Sequence, residues 1–143
     1  MRWSLRSAAR ADVEQIAELR AVVLRPDLER LGRYDEVRVR QRFRAGFVPE
    51  HTRVIEVRGE FAGSVTVRPG PGETWLEHFY LAPVVQGQGI GSAILTRLLG
   101  ETSGEVRLNV LQGSPARRLY ERHGFTTYAE DAVDVWMLRA PLA

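Results

Sequence analysis

Cysteine and lysine are both missing from this chain. Without cysteine there is no disulfide, no cysteine-ligated zinc and no acyl-thiol intermediate on the protein. Without lysine there is no lysine Schiff base and no lysine of a nucleotide P-loop. All 20 basic side chains are arginines, a bias that coding composition alone explains. Charge of one sign is also scarce. The arginines face 18 acids for a formal net charge of +2, and with the two signs interspersed there is no concentrated footprint for nucleic acid. Long apolar runs are absent, none approaching the roughly 20 residues of a membrane helix. The start, Met1-Arg2-Trp3-Ser4-Leu5-Arg6, reaches Ala11 and Asp12 without an apolar stretch and does not read as a signal peptide. The expectation is a cytoplasmic protein that binds neither nucleic acid nor membrane.

What is present is globular in character. A hydrophobic fraction of 44% and a charged fraction of 27% are ordinary. A chain of 143 residues suits a single domain, here 1–143, that buries about two-thirds of its unfolded surface. Residues 2–6 pattern as a strand. Asp12 with Gln15 forms a variant of the capping box, and Val13, Ile16, Leu19 and Val23 recur at helical spacing. Pro26 should end that helix near Arg25. A charged helical segment over 35–45 places Val37, Gln41 and Arg44 on one side. Val54–Val57, a turn at Arg58-Gly59-Glu60, and Phe61–Arg68 predict an antiparallel hairpin, and Pro69-Gly70-Pro71-Gly72 a second turn. Further on, the pattern predicts strands over 75–81, 106–110, 126–128 and 134–138. A helix runs from Ile90 through Leu99, and a short one opens at Ser114-Pro115 and closes at Gly124.

The chemistry concentrates in Gln86-Gly87-Gln88-Gly89-Ile90-Gly91, between a strand and a helix. Amides at a helix start lack intrahelical partners, and the helix dipole favours negative charge there. Glycines let a phosphate approach such amides closely. Alone, this loop is equally compatible with glycines that serve only turns and packing. A dinucleotide fingerprint needs glycine at the first, third and sixth positions, but the sixth from Gly87 is Ser92; the P-loop needs the absent lysine.

Gln86, Gly89 and Gly91 stand in the order of the signature of the GNAT superfamily of N-acetyltransferases: Gln or Arg, two residues, Gly, one residue, then Gly or Ala. Phe79-Tyr80-Leu81-Ala82-Pro83 resembles that family's strand into the loop. The segment from Ala116 to Phe125, with Leu119-Tyr120 and Gly124-Phe125, is similar to its Ala-x-x-Leu-Tyr-x-x-x-Gly-Phe element. The resemblance covers nearly the whole chain. It implies an α/β (α+β) fold with a mixed, mostly antiparallel sheet of six to seven strands, helices on both faces and one splayed parallel pair. One departure is Gly113, where many relatives carry an asparagine that touches the cofactor; Asn109 is the nearest substitute.

The resemblance also implies acetyl-coenzyme A as co-substrate, no metal, and acetyl transfer to a primary amine by direct attack in a ternary complex. The amides of Gln86, Gly87, Gln88, Gly89, Ile90, Gly91 and Ser92 would hold the pyrophosphate, with charge from Arg117. The backbone of Phe79, Tyr80 and Leu81 would hold the pantetheine and polarise the thioester. Tyr120 would stand beside the leaving sulfur; full proton transfer from a phenol to a thiolate is uphill by roughly 2 kcal/mol, so hydrogen bonding is the expected role. An alkyl amine, with a pKa of about 10.4, arrives protonated and needs a base. Glu77, among apolar strand neighbours, is the first choice, and His78 the second. Tyr34, Asp35 and His78 are candidate acceptor contacts by location. Arg25, Arg30, Arg33, Arg38, Arg40, Arg42 and Arg44 would suit an anionic acceptor or form a solvated face. A small-molecule amine is the expected acceptor and a homodimer stays open; a protein N-terminus or lysine, and a non-catalytic acyl-CoA-binding module, are the alternatives.

Overall fold

The computed structural model describes residues 2–141; the ends of the expected 1–143 domain, residues 1, 142 and 143, lie outside the described residues. Seven strands form one sheet in the order β1-β2-β3-β4-β5-β7-β6. They are β1 (Trp3–Ser7), β2 (Thr52–Val57), β3 (Glu60–Pro69), β4 (Glu73–Leu81), β5 (Glu105–Leu111), β6 (Thr126–Glu130) and β7 (Asp134–Arg139), with helices α1 (Val13–Arg30), α2 (Glu36–Gly46), α3 (Ile90–Gly100) and α4 (Ala116–Arg122). β1 with β2, β2 with β3, β5 with β7 and β6 with β7 pair antiparallel. β4 and β5 are parallel, over a ladder of Glu73–Trp75 against Glu105–Arg107. The mixed, mostly antiparallel sheet with one parallel pair is therefore as the sequence implied. By internal contacts the chain divides into two compact units that interleave along it: Met1–Thr66 with His78–Ile90, and Val67–Glu77 with Gly91–Ala143.

In the first unit, β1 and β2 support a core of Ala8, Ile16, Ala17, Phe43 and Val54, against which Val13, Phe47 and Phe61 pack. The β2–β3 hairpin turns on Arg58 and Gly59, with φ of 55° and 81°. Positive φ at both central positions is the type I′ turn whose twist matches the strands.

Three expectations fail here. α1 does not stop at Arg25 but runs through Pro26 to Arg30. The acceptor that loses its donor is the carbonyl of Val22, a residue on the exposed side of the helix, and Arg25–Glu29 and Arg30–Asp27 pairs support the last turns. Asp12 makes no side-chain cap on α1. Instead its buried carboxylate accepts from Ala9 N at 2.7 Å, from Gln15 Nε2 at 2.9 Å and from Arg6 at 2.8 and 3.0 Å. In α2 the buried residues are Val39 and Phe43, not the expected side, and Val37 is 65% exposed. Few apolar residues mark that helix, so periodicity alone could not choose its face; the helix forms because Asp35 caps it, accepting from Val37 N at 3.0 Å and Arg38 N at 2.9 Å.

In the second unit, Ile94, Leu95 and Leu98 of α3, Val106 and Leu108 of β5, Phe125, and Val135 and Met137 of β7 are buried. The alternation of Val106 and Leu108 with Arg107 and Asn109 sets which face of β5 is inside.

Candidate active site

β4 contains an irregularity that no periodicity announced. His78 has φ of 47°, left-handed backbone that costs a non-glycine residue roughly 1–3 kcal/mol and persists only where neighbours enforce it. The enforcing groups are visible. Ser64 Oγ, fully buried in β3, donates to the His78 carbonyl at 3.0 Å. Gly63 lies so close to β4 that a Cβ there would meet the Tyr80 carbonyl oxygen at 2.1 Å. The His78 ring stands edge-on to Phe43 at 5.0 Å between centroids, and its Nδ1 is 3.0 Å from Tyr80 Oη. Arg20 of α1 donates from Nε to the same Tyr80 oxygen at 2.9 Å and from Nη1 to the Val39 carbonyl. The sequence reading missed Arg20, Phe43, Gly63 and Ser64; only Gly63 carried a signal, as a glycine inside a strand.

Of the other predicted residues in this unit, Tyr34 lies under the Arg25 guanidinium at 4.8 Å, and Asp35 is occupied as the α2 cap. Of the seven arginines over 25–44, Arg25, Arg30, Arg40 and Arg44 are paired with Glu29, Asp27, Glu18 and Glu14. Most of that positive charge is thereby committed to α1 and α2.

The glycine loop follows β4 through a 3-10 turn at Pro83–Val85. Gln86 folds back, its Nε2 donating to the Leu81 carbonyl at 2.8 Å, and Gln88 Nε2 donates to Val84 O at 3.3 Å. Gly87 and Gly89 have φ of 75° and 80°, with no atom within 4 Å of where a Cβ would stand. Their side chains are absent for conformation, and the space left open beside the start of α3 is what an anion held by amides requires. The loop thus fits a phosphate-bearing group. An open concavity of about 460 Å³ adjoins it, lined by Phe61, Ala62, Ala82, Val84, Val85 and Gln88 among others.

In the second unit, Glu77 departs from expectation. It does not sit among apolar groups: both carboxylate oxygens accept from Arg68, at 3.0 Å each, in a half-exposed ion pair. The cause lies in β3, whose Arg68 stacks over Trp75 at 5.7 Å and reaches Glu77 from there. Asn109 is exposed and donates to Asp134 at 3.0 Å. Arg117 donates to Thr127 Oγ1 at 3.2 Å and pairs with Glu121 at 3.7 Å. Tyr120 is buried, its ring 5.6 Å from that of Phe125. Ser92 meets a residue the sequence reading passed over: His123 Nε2 is 3.2 Å from Ser92 Oγ and 3.3 Å from Thr96 Oγ1, while its Nδ1 is 2.9 Å from the Leu119 carbonyl. That nitrogen faces a carbonyl, which can only accept, so Nδ1 donates.

A sheet with one parallel pair and a glycine loop leading from the first of those strands into a helix is the architecture of an acyltransferase. The sequence profile of the acetyltransferase (GNAT) domain matches residues 49–127, more than half of the chain, and the chain belongs to that family. Among solved structures, the PaiA N-acetyltransferase from Thermoplasma acidophilum, in complex with coenzyme A, superposes with a TM-score of 0.77 at 19% identity, over 98% of this chain and 99% of that one. The ribosomal-protein-S18-alanine N-acetyltransferase from Escherichia coli gives 0.75 at 18% identity, over 99% and 96%. The loading GNATL domain of CurA from Lyngbya majuscula gives 0.74 at 13%, over 98% of each. No curated protein matches the sequence. Among the described residues, no helix is long and apolar enough to cross a membrane.

Proposed function

We propose that the chain is a single N-acetyltransferase domain that transfers the acetyl group of acetyl-coenzyme A to a primary amine of a small molecule by direct attack. The observation that supports this most is the loop at Gln86–Ile90, where two left-handed glycines open α3 with empty space beside them. In this reading the amides from Gln86 to Ser92 hold the pyrophosphate, and backbone groups of Phe79, Tyr80 and Leu81 bind the pantetheine. Asn109 and Arg117 add polar contacts only by exchanging their present partners. The acceptor amine attacks the thioester carbon, a C–N bond forms, the C–S bond breaks, and the amine loses one proton while the sulfur gains one. Tyr120 hydrogen-bonds that sulfur as charge develops on it. Because Arg68 holds both oxygens of Glu77, the amine proton leaves through water rather than directly to that carboxylate. Tyr34, Asp35 and His78 border the acceptor's side. We place the protein in the cytoplasm, as an enzyme without a metal.

A thiol-release assay against a broad panel of amines tests the proposal. Release with one amine class supports it. Tight coenzyme binding with no release for any amine, protein N-termini and lysine peptides included, would favour a non-catalytic acyl-CoA-binding module.

A further inference from the structure

We propose that the cavity at the far ends of α3 and α4 is a second anion site, suited to a phosphate group and separate from the glycine loop. The cavity is open, holds about 380 Å³ and is lined by Thr96, Leu99, Gly100, Arg122, His123 and Arg139. All six belong to the second unit, and none to the loop at Gln86–Ile90. Gly100 closes α3 nine residues beyond Gly91, about 13 Å along the helix. The lining holds two guanidinium groups and no carboxylate.

The ordinary use of arginine at a helix C-terminus is to donate to the last carbonyls. Here other donors take most of them. In α4 the Leu119 carbonyl accepts from His123 Nδ1 at 2.9 Å, that of Tyr120 from the His123 and Phe125 amides at 3.0 and 3.1 Å, and that of Glu121 from the Gly124 amide at 3.1 Å. In α3 the carbonyls of Arg97, Leu98 and Leu99 accept from the Glu101 and Thr102 amides. Only Arg139 is drawn in, its Nε donating to the His123 carbonyl at 3.0 Å. That bond anchors the guanidinium and leaves its two terminal nitrogens over. Arg122 has no hydrogen bond or ion pair among the described residues; Glu121, its neighbour in sequence, pairs with Arg117 at 3.7 Å instead. Both ring nitrogens of His123 are engaged, by the Leu119 carbonyl and by the hydroxyls of Ser92 and Thr96, so the donors left over are those of the arginines. An anchored guanidinium that shares a cavity with a second one offers the planar N–H forks that phosphate oxygens accept, and two positive charges for its two negative ones.

Gly100 is the second observation. Glycine inside a helix costs about 1 kcal/mol relative to alanine, a cost justified where φ must be positive or where a neighbour leaves no room for a side chain. Neither holds here. Its φ lies outside the left-handed region, and nothing stands within 4 Å of where its Cβ would be. What the missing side chain leaves open is the wall of the cavity. Leu99 and Gly100 make that wall uncharged, so the phosphate of a small organic monoester fits it as free phosphate does.

The test follows the amide NMR spectrum of the full chain, saturated with coenzyme A, as inorganic phosphate or glycerol 3-phosphate is added at fixed ionic strength. We expect saturable shifts centred on Thr96, Gly100 and Arg122. Arg122→Gln removes one charge-assisted partner, and Gly100→Leu fills the cavity with a better helix former while leaving its charge alone. Each should weaken binding by about tenfold or more, whereas Arg118→Gln, at an exposed α4 arginine outside the lining, should leave it unchanged. Tighter binding of glycerol 3-phosphate than of phosphate supports the site and assigns it to an organic monoester; equal or weaker binding supports it as a site for the free anion. No saturable shift with either probe up to about 10 mM, or binding that both Arg122→Gln and Gly100→Leu leave unchanged, would overturn the proposal. Shifts at these residues that appear only in the coenzyme-free protein would overturn it too, by giving the cavity to the coenzyme.

Discussion

The ring of Tyr120 lies 5.6 Å from that of Phe125, and the Phe125 amide donates to the Tyr120 carbonyl at 3.1 Å. With Gly124 at φ 91° donating to Glu121 O at 3.1 Å, this is a Schellman motif closed by its hydrophobic contact. The residue assigned to the leaving sulfur is therefore also a packing residue of the α4 terminus. The two roles separate by substitution. Tyr120→Ala should cost roughly 3 kcal/mol, as for other buried aromatic truncations. Tyr120→Phe keeps the ring contact and should cost less than about 1 kcal/mol, while acetyl transfer slows and coenzyme affinity holds. Equal turnover in Tyr120→Phe, measured beside a denaturant melt, would leave the tyrosine with the packing role alone.

Gly63→Ala should be among the most damaging single-methyl changes in the chain. Its new Cβ would stand 2.1 Å from the Tyr80 carbonyl oxygen, and that neighbour is backbone that cannot swing aside. Overpacking of this kind costs about 3 kcal/mol. Thermal unfolding measures it; a loss below about 1 kcal/mol would mean that β3 and β4 separate more easily than their contacts suggest.

The strands, the loop and the α4 terminus were legible because each rests on local chemistry: alternation at Val106 and Leu108, positive-φ glycines at Gly87, Gly89 and Gly124, a turn at Arg58-Gly59. Pro26 misled because the rule against helix before proline is a local cost, and α1 offsets it with ion pairs and an exposed carbonyl. The site was less legible than the fold. Glu77 looked basic only while its neighbours were counted along β4; the residue that governs it, Arg68, arrives from β3. His78 could not be placed, because its backbone carbonyl is held by Ser64 and its ring packs edge-on against Phe43, both distant in sequence.

Gly89→Glu should weaken acetyl-coenzyme A binding by tenfold or more. At φ 80° any side chain is strained by about 1–2 kcal/mol even where space is open, and a carboxylate would add repulsion against a pyrophosphate. Gly89→Ala supplies the control, carrying the strain without the charge. Isothermal calorimetry on both separates the terms, and unchanged affinity in Gly89→Glu would sink the loop assignment.

Glu77→Gln should change kcat by less than about threefold if, as proposed, the amine proton leaves through water while Arg68 holds both oxygens of Glu77. General bases contribute about 10²–10⁴-fold. A loss in that range, with the pH profile of kcat/KM losing its acid limb, would restore Glu77 as the base. Stability should fall by no more than about 1 kcal/mol, the usual value of a partly exposed pair.

Asp12 gives the fold a sensitivity to acid. Its buried carboxyl is held down to a pKa of about 2, first by hydrogen bonds from Arg6, against the cost of burial, and further by the Ala9 amide and by Gln15. The folded value lies below the unfolded one of 3.8, so the unfolded chain binds the proton more readily and protonation favours unfolding. The stabilisation is present in full above about pH 4 and is lost as pH falls through about 2. A shift of this size corresponds to about 2 kcal/mol. Asp12→Asn should remove that dependence while its one amide oxygen still accepts from the Ala9 amide and Gln15 loses its acceptor, whereas Asp12→Ala should cost more at neutral pH by leaving the Ala9 amide unmatched as well. Denaturant unfolding of wild type and Asp12→Asn from pH 2 to 7 measures the difference. Parallel curves across that range would show that Arg6 and Asp12 contribute no more than a surface pair.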